Sequence, residues 1–254
     1  MLHPRSVLAL VLIASVTSVA LLPLSAQGRK RTEGPARGVW VKQGEHIVKI
    51  PLRAFRQRFG VSWARRQLLG PGLTEARLPG YSDGPGSFDW EKGEESTYVG
   101  PQYVPSAADL AAINGRTARV YLGKVDEHVG HGLFARAPIR VGQPIGEYTG
   151  VARAEDMSRD HLNAYTWTYD PWNAFRMVID AKDQGNYLRF ANHSSNHANA
   201  TARLVYDRDH RRWHVLIVAK QKIRKGDQIL YDYSSSYDWS RFGVEPADLR
   251  PRAD

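Results

Sequence analysis

Two short polar segments carry the side chains of this chain that are best suited to chemistry. The first, Arg189-Phe190-Ala191-Asn192-His193-Ser194, places an amide, an imidazole and a hydroxyl side by side after a short apolar stretch. The second, Tyr231-Asp232-Tyr233, has two phenols two residues apart, and on a β-strand both would point to the same face. These groups offer hydrogen-bond donors and acceptors to a polar ligand. Taken singly, each segment is also typical of an ordinary loop or an edge strand.

A metal site is the first alternative to consider. His193 and His197 lie four residues apart, as some zinc ligands do. The glutamate that accompanies such a pair in the HExxH motif is absent, and a strand and loop replace the helix that the motif requires. The chain also has no cysteine, which excludes thiolate ligands and disulfide bonds. We therefore predict that the protein binds no metal.

Two glycine-containing motifs lie upstream of the polar segments, Gly130-His131-Gly132 and Gly146-Glu147-Tyr148-Thr149-Gly150. In this order and at these separations, the motifs together resemble the SET-domain protein-lysine methyltransferases. The resemblance covers about residues 121–237, a little under half of the chain. It implies a mainly β (α+β) fold, the SET-domain β-clip of several small sheets, with few helices and a knot-like threading of the C-terminal segment.

The resemblance also implies methyl transfer from S-adenosyl-L-methionine to the side-chain amine of a lysine in a protein. Residues that match the cofactor-binding motifs are Gly130, His131, Gly132, Arg189, Asn192 and His193, and those that match the catalytic lysine channel are Tyr148, Tyr231 and Tyr233. Tyr233 matches the catalytic tyrosine. Family members carry Phe or Tyr at the position of Tyr231, and Tyr there implies monomethylation. Trp239 is the candidate for an aromatic residue that packs on the adenine, with packing on the protein's own core as the alternative.

Short strand-like runs surround these motifs. The predicted strands are one or two within 39–50, and 118–122, 132–135, 144–148, 165–169, 175–180, 203–206, 214–219 and 228–233. Helical spacing predicts a helix over 52–69 and a short one over 106–113 that is capped by Ser106. Residues 152–164 are expected to be partly helical, 73–105 mostly irregular, and Arg189-Phe190 part of a strand that precedes Asn192.

The N-terminus has the pattern of an export signal. Arg5 precedes an apolar run over residues 7–24, and Leu24-Ser25-Ala26 offers small residues for cleavage. We predict a signal peptide over 1–26, a basic extension over 27–117, a SET domain over 118–237 with an insert at about 152–175, and a tail over 238–254. The alternatives are an uncleaved membrane anchor, for which the apolar run is just long enough, and an intracellular protein.

Charge and composition limit the partners only broadly. The 254 residues include 35 Lys and Arg against 26 Asp and Glu, a net charge of +9 that favours anionic partners and leaves nucleic acid open. We expect a monomer that acts on a lysine-bearing protein, a histone or another basic protein, with delivery to a host cell if it is secreted. The alternative function is a SET-derived protein-binding module that has lost methyl transfer.

Overall fold

The computed structural model describes residues 38–74, 88–89, 94–95, 101–171, 176–233 and 249–251. The chain divides into Met1–Ala36 and Arg37–Asp254, and every described residue lies in the second unit. The strands are β1 Gly38–Gln43, β2 His46–Pro51, β3 Ser62–Trp63, β4 Leu68–Leu69, β5 Phe88–Asp89, β6 Glu94–Glu95, β7 Val120–Lys124, β8 His131–Ala135, β9 Pro144–Glu147, β10 Val151–Ala154, β11 Thr166–Thr168, β12 Met177–Asp180, β13 Gln184–Gly185, β14 Asn192–His193, β15 Ala200–Asp207, β16 Arg212–Ala219 and β17 Leu230–Tyr231. The helices are α1 Leu52–Phe59, α2 Ala107–Ile113 and α3 Met157–Asp160, with 3₁₀ helices at Pro101–Tyr103 and Tyr187–Phe190.

The described strands form several small sheets instead of one large one. Their orders are β2-β1-β7-β8, β11-β12-β10-β4, β13-β3, β14-β17-β15-β16-β9 and β5-β6. The predicted fold class, mainly β with few helices, is therefore confirmed. The predicted knot-like threading concerns the segment after Tyr233, most of which lies outside the described residues, and it stays a prediction.

Strand β16 is buried along its whole length because both faces of its sheet are covered. Its residues Leu216 and Val218 pack with Ala112 and Ile113 of α2. The alternating residues Trp213, Val215, Ile217 and Ala219 belong to the main core. This alternation is the period of two that a strand imposes, and it fixes the neighbouring strands β15 and β9 on either side of β16.

Residues upstream of position 118 share sheets with the residues that follow it. β1 and β2 lie where one or two strands were predicted, and they pair as an antiparallel hairpin. β1 also pairs in parallel with β7, with Val41 opposite Leu122. β3 pairs with β13, and β4 pairs with β10. The part of the predicted extension that the structure describes therefore contributes strands to the same compact unit. The proposed domain boundaries themselves stay predictions.

The predicted helix over 52–69 is wrong in its second half. α1 ends at Phe59 and is capped by Gly60, whose φ of 69° is left-handed, as is common at the end of a helix. Ser62 and Trp63 then form β3, opposite Gln184 and Gly185. Pairing with a distant strand leaves no trace in local periodicity, so the helical spacing of Trp63 and Leu68 was misleading.

Two other local predictions have opposite outcomes. α2 is capped as predicted by Ser106, whose Oγ accepts from the N–H of Asp109 at 3.3 Å. The Asp109 carboxylate in turn accepts from the Ser106 N–H at 2.9 Å. The strand predicted for Arg189-Phe190 is instead the 3₁₀ helix Tyr187–Phe190. Asn186 favours this turn because its side-chain oxygen accepts from the N–H of Leu188 at 3.0 Å.

Candidate active site

The two polar segments of the sequence meet because two short strands pair in parallel. β14 lies beside β17, with Asn192 opposite Leu230 and His193 opposite Tyr231. The N–H of Ser194 donates to the carbonyl of Tyr231 at 3.2 Å and extends this ladder by one bond. The Ser194 side chain is fully buried and its Oγ accepts from the N–H of His197 at 3.1 Å, which fixes the turn.

The imidazole of His193 is a structural link between these strands. Its Nδ1 accepts a hydrogen bond from the main-chain N–H of Tyr233 at 3.1 Å. Nδ1 therefore carries no proton in the neutral ring, and Nε2 is the nitrogen that donates to Ser195 Oγ, at 3.0 Å. The ring centroid lies 5.2 Å from that of Tyr233. His193 thus positions the main chain and the ring of Tyr233.

Asn192 reaches the first glycine motif across the fold. Its Nδ2 donates to the carbonyl of His131 at 3.3 Å. A Cβ on Gly132 would lie 3.2 Å from Asn192 Nδ2 and 2.6 Å from Gln228 Nε2, so only glycine allows these amides to approach the β8 backbone. The preceding Gly130 has a φ of 79°, a conformation that other residues rarely adopt. The structure therefore brings Gly130, Gly132 and Asn192 to one place.

His131 lies against an aromatic wall from α1. Its ring centroid is 5.0 Å from that of Phe59, edge to face, and Phe59 also lies 5.4 Å from Phe190. Burial lowers the pKa of His131, and the nearby positive charges of Arg58 and Lys124 lower it further. The imidazole is therefore neutral at pH 7, because its ordinary pKa is only about 6.5.

Four aromatic side chains form a continuous row beside this region. The ring centroids of Tyr233 and Tyr231 are 4.6 Å apart, those of Tyr231 and Trp167 are 5.6 Å apart, and those of Trp167 and Tyr148 are 5.8 Å apart. Tyr231 and Tyr148 are buried and Tyr233 is half-buried. The contact between Tyr231 and Tyr233 agrees with the prediction that both rings point to one side.

The hydroxyl protons of Tyr233 and Tyr148 point to main-chain carbonyls. Tyr233 Oη donates to the carbonyl of Ala191 at 2.8 Å, and Tyr148 Oη donates to that of Tyr165 at 2.9 Å. Burial raises the pKa of Tyr148, and the nearby hydroxyl of Tyr233 raises it further, so this phenol stays protonated at neutral pH. Each oxygen keeps acceptor capacity because its own proton is directed elsewhere.

Arg189 contacts residues 181–182 and the ring of Tyr165. Its Nε donates to the carbonyl of Ala181 at 2.8 Å, and its Nη2 donates to that of Lys182 at 3.3 Å. The guanidinium carbon also lies 3.9 Å from the ring centroid of Tyr165. These contacts tie residues 181–182 to Tyr165, and the predicted role of Arg189 in binding a cofactor stays a prediction.

Three points remain, on the predicted residue Trp239, on Trp167 and on metal binding. Trp239 lies outside the described residues, so its packing on an adenine stays a prediction. Trp167 belongs to the aromatic row but was missed at the sequence level. The signal was present, because Tyr165, Trp167 and Tyr169 alternate along the predicted strand at 165–169. No group of three or more His, Cys, Asp and Glu that could hold a metal ion occurs among the described residues.

Comparison with known proteins identifies the domain that contains this arrangement. Residues 130–234 match the family model of the SET domain. This segment includes the glycine motif at its start and Tyr233 near its end. The SET-domain resemblance that the motifs predicted is therefore confirmed for residues 130–234.

Curated proteins that are similar to this chain include histone-lysine N-methyltransferases of plants. The chain is 34% identical over 134 residues to histone-lysine N-methyltransferase EZ1 of Oryza sativa subsp. japonica, which covers 48% of this chain and 14% of that protein. It is 30% identical over 138 residues to histone-lysine N-methyltransferase MEDEA of Arabidopsis thaliana, which covers 50% of this chain and 19% of that protein. The chain thus spans less than a fifth of the length of these relatives.

Among solved structures, the chain is similar to Polycomb Repressive Complex 2 of Chaetomium thermophilum. The complex in an autoinhibited conformation bound to S-adenosylmethionine matches with 26% identity and a TM-score of 0.44, over 51% of this chain and 17% of the other. A crystal structure of the same complex matches with 27% identity and a TM-score of 0.45.

Proposed function

We propose that this protein is a protein-lysine N-methyltransferase that uses S-adenosyl-L-methionine. The observation that carries the proposal is the meeting of Gly132, Asn192 and the Tyr231–Tyr233 pair within the SET domain. When bound, S-adenosyl-L-methionine supplies an electrophilic methyl group on its sulfonium.

The residues present fit this cofactor at the glycine motif. Gln228 is buried, and its Nε2 has no hydrogen-bond partner among the described residues although it lies beside Gly132. A buried donor without a partner costs about 1–3 kcal/mol, so a polar ligand at this place would gain from satisfying it. Gly130, Gly132, Asn192 and Gln228 would hold the cofactor, with main-chain groups and amides of both polarities.

The aromatic row suits the other substrate, a lysine side chain. Lysine attacks only as the free amine, and its ordinary pKa of about 10.4 keeps it protonated in water. A channel lined by Tyr148, Trp167, Tyr231 and Tyr233 removes water from the amine and lowers its pKa without a dedicated base. The Tyr233 oxygen, with its proton on Ala191, can accept weak CH···O contacts and help to orient the reacting groups.

We assign monomethylation as the product specificity of this site. Tyr231 is buried, and its ring contacts both Trp167 and Tyr233, so a phenol side chain, larger by one hydroxyl than phenylalanine, fills this part of the row. A second methyl on the nitrogen needs that room. The support is therefore steric, and the product state of a methylated peptide tests it.

Histones are the substrate class that we favour, because the curated relatives are histone-lysine N-methyltransferases. Export through the signal at residues 1–26 would remove the enzyme from its intracellular cofactor. We therefore add that the secreted protein acts inside a recipient cell on a histone or another basic protein.

Two measurements test the proposed function. Labelled S-adenosyl-L-methionine is incubated with the protein and with core histones, and mass spectrometry locates the labelled lysine and its methyl count. Calorimetry measures the binding of the same cofactor to the protein alone. Cofactor binding with a labelled lysine supports the enzyme. Binding of histone without binding of cofactor would instead identify a protein-binding module.

A further inference from the structure

An arginine between two aspartates lies at the base of the insert that contains α3 and β11. Arg153 of β10 donates from Nη1 to Asp160 Oδ2 at 2.9 Å and from Nη2 to Asp180 Oδ2 at 2.7 Å. Its Nη2 also contacts Asp160 Oδ1. All three side chains are largely buried: Arg153 is 17% exposed, Asp160 8% and Asp180 14%. One guanidinium therefore joins α3, β10 and β12.

Asn163 extends this cluster toward the aromatic row. Its Nδ2 donates to the second oxygen of Asp180 at 3.0 Å, and its Oδ1 accepts from the main-chain N–H of Tyr165 at 3.1 Å. Asn163 is itself more than nine-tenths buried. We call Arg153, Asp160, Asn163 and Asp180 the insert clamp. The hydrogen bond from the Tyr165 N–H to Asn163 Oδ1 fixes the main chain at Tyr165.

Tyr165 connects the insert clamp to the lysine channel. Its carbonyl accepts from Tyr148 Oη at 2.9 Å and from the N–H of Ala181 at 3.0 Å. Two residues later, Trp167 contacts both Tyr148 and Tyr231. The carbonyl that orients Tyr148 and the indole that completes the row therefore lie on the segment that the insert clamp holds.

We propose that Arg153 is a positioning residue for the lysine substrate, which orders the insert before substrate binds so that Trp167 and the Tyr148 hydroxyl are already in place. This inference rests on the proposed function for the meaning of the aromatic row. Arg153 acts through Asp180 and Asn163 and contacts neither the aromatic row nor the glycine motif in the described structure. It therefore governs peptide recognition and leaves cofactor binding unchanged.

The insert clamp needs an arginine at position 153, and lysine is a poor substitute. A planar guanidinium can bond two carboxylates in fixed directions at once, whereas a lysine ammonium is a point charge on a flexible stem. Arg153→Lys should therefore hold one aspartate well and the other poorly. Arg153→Met removes both bonds and frees the insert, which then becomes ordered only when peptide binds.

This mechanism predicts how the kinetic constants divide. If the binding-competent insert is only a fraction of the population, the apparent affinity for peptide falls by that fraction, while turnover at saturation is retained. We expect Arg153→Met to raise the KM for a histone peptide about tenfold, with kcat and the cofactor Kd within about twofold of the wild type. For Arg153→Lys we expect a KM between that of the wild type and that of Arg153→Met.

Arg176→Met is the matched control. Arg176 pairs with Glu155 at 3.2 Å near the same strand ends, but its side chain is 67% exposed. Arg176→Met should therefore have the KM, kcat and cofactor Kd of the wild type. A fall in kcat at unchanged KM in folded Arg153→Met would show that Arg153 does not act through peptide recognition, and it would overturn the proposal. Equal effects in Arg176→Met would do the same.

Hydrogen exchange gives a test that needs neither cofactor nor activity. Amides of residues 163–169 should exchange about tenfold faster in Arg153→Met than in Arg176→Met, while β16 keeps its protection. Asn163→Ala removes the link to Tyr165 without unpairing a charge, and it serves if Arg153→Met does not fold. Unchanged exchange in the insert would overturn the proposal. A wild type that exchanges as expected but methylates nothing would contradict only the proposed function.

Discussion

Single hydroxyl groups at Tyr233 and Tyr231 have different surroundings, so their removal should have different consequences. Tyr233→Phe removes the oxygen whose proton is held by the Ala191 carbonyl, and turnover should fall strongly while cofactor binding survives. Tyr231→Phe vacates space between Trp167 and Tyr233. The turnover of Tyr231→Phe should survive, and its product should change from monomethyl-lysine toward di- or trimethyl-lysine.

Mass spectrometry of a methylated peptide measures both outcomes. Tyr121, whose ring stacks on Phe134, offers a matched control in Tyr121→Phe, which also removes a single hydroxyl. An unchanged product distribution in Tyr231→Phe would show that Tyr231 does not border the amine. Full activity of Tyr233→Phe would remove the tyrosine from the catalytic assignment.

The side-chain amide of Asn192 links β14 to the glycine motif, so its removal should weaken the binding of the cofactor. Asn192→Ala removes the bond to the His131 carbonyl and a polar contact for the ligand. We expect cofactor binding to weaken by about 1–3 kcal/mol in a folded variant, measured by calorimetry. Asn196→Ala on the following exposed turn is the control. If Asn192→Ala and the wild type bind the cofactor with equal affinity, the cofactor site does not include Asn192.

At the scale of elements, local signals in the sequence were reliable where a local interaction decides the structure. The cap at Ser106 needs only Asp109, three residues later, and was predicted correctly. The end of α1 depends on Gly60 and on pairing of β3 with β13, which periodicity does not reveal. The insert clamp was missed for the same reason. Arg153, Asp160 and Asp180 look like ordinary surface charges until the fold brings β10, α3 and β12 together.

The insert clamp also predicts a pH dependence of stability. Burial alone would raise the pKa of Asp180, but hydrogen bonds from Arg153, the Lys182 N–H and Asn163 lower it overall. A lowered pKa in the folded state stabilises the protein fully above the unfolded pKa of about 3.9, and this contribution is lost as the pH falls through the folded value. The free energy of unfolding should therefore differ between the wild type and Asp180→Asn near pH 6.

The difference between these two proteins should shrink as the pH falls below about 4, because Asp180 then becomes protonated in both states. Denaturant unfolding across that range measures it. The neighbouring groups Arg153 and Asp160 are present in both proteins, so their titration largely cancels in the comparison. A difference that stays constant down to the lowest pH would show that the charge of Asp180 contributes nothing.

At the scale of the whole molecule, the described fold begins only at Gly38, well beyond the predicted signal peptide. The longest described helix has 8 residues, so none of the described helices could cross a membrane. β1 is the first described strand, and its pairing with β2 and β7 uses no residue before Gly38. A chain that begins at Gln27 retains every residue that the structure describes.

Export should therefore leave a functional protein, and we expect residues 1–26 to be removed. The prediction rests on Arg5, the apolar run and the small residues Leu24-Ser25-Ala26 before Gln27. N-terminal mass spectrometry of the extracellular fraction should find Gln27 as the first residue, and purified protein from Gln27 should bind the cofactor as tightly as a chain from Gly38. Replacing Val11 and Leu12 by aspartate breaks the apolar run and should abolish export without altering the mature protein. An extracellular protein that still begins at Met1, or a full-length protein that stays with membranes, would exclude cleavage and favour the anchor instead.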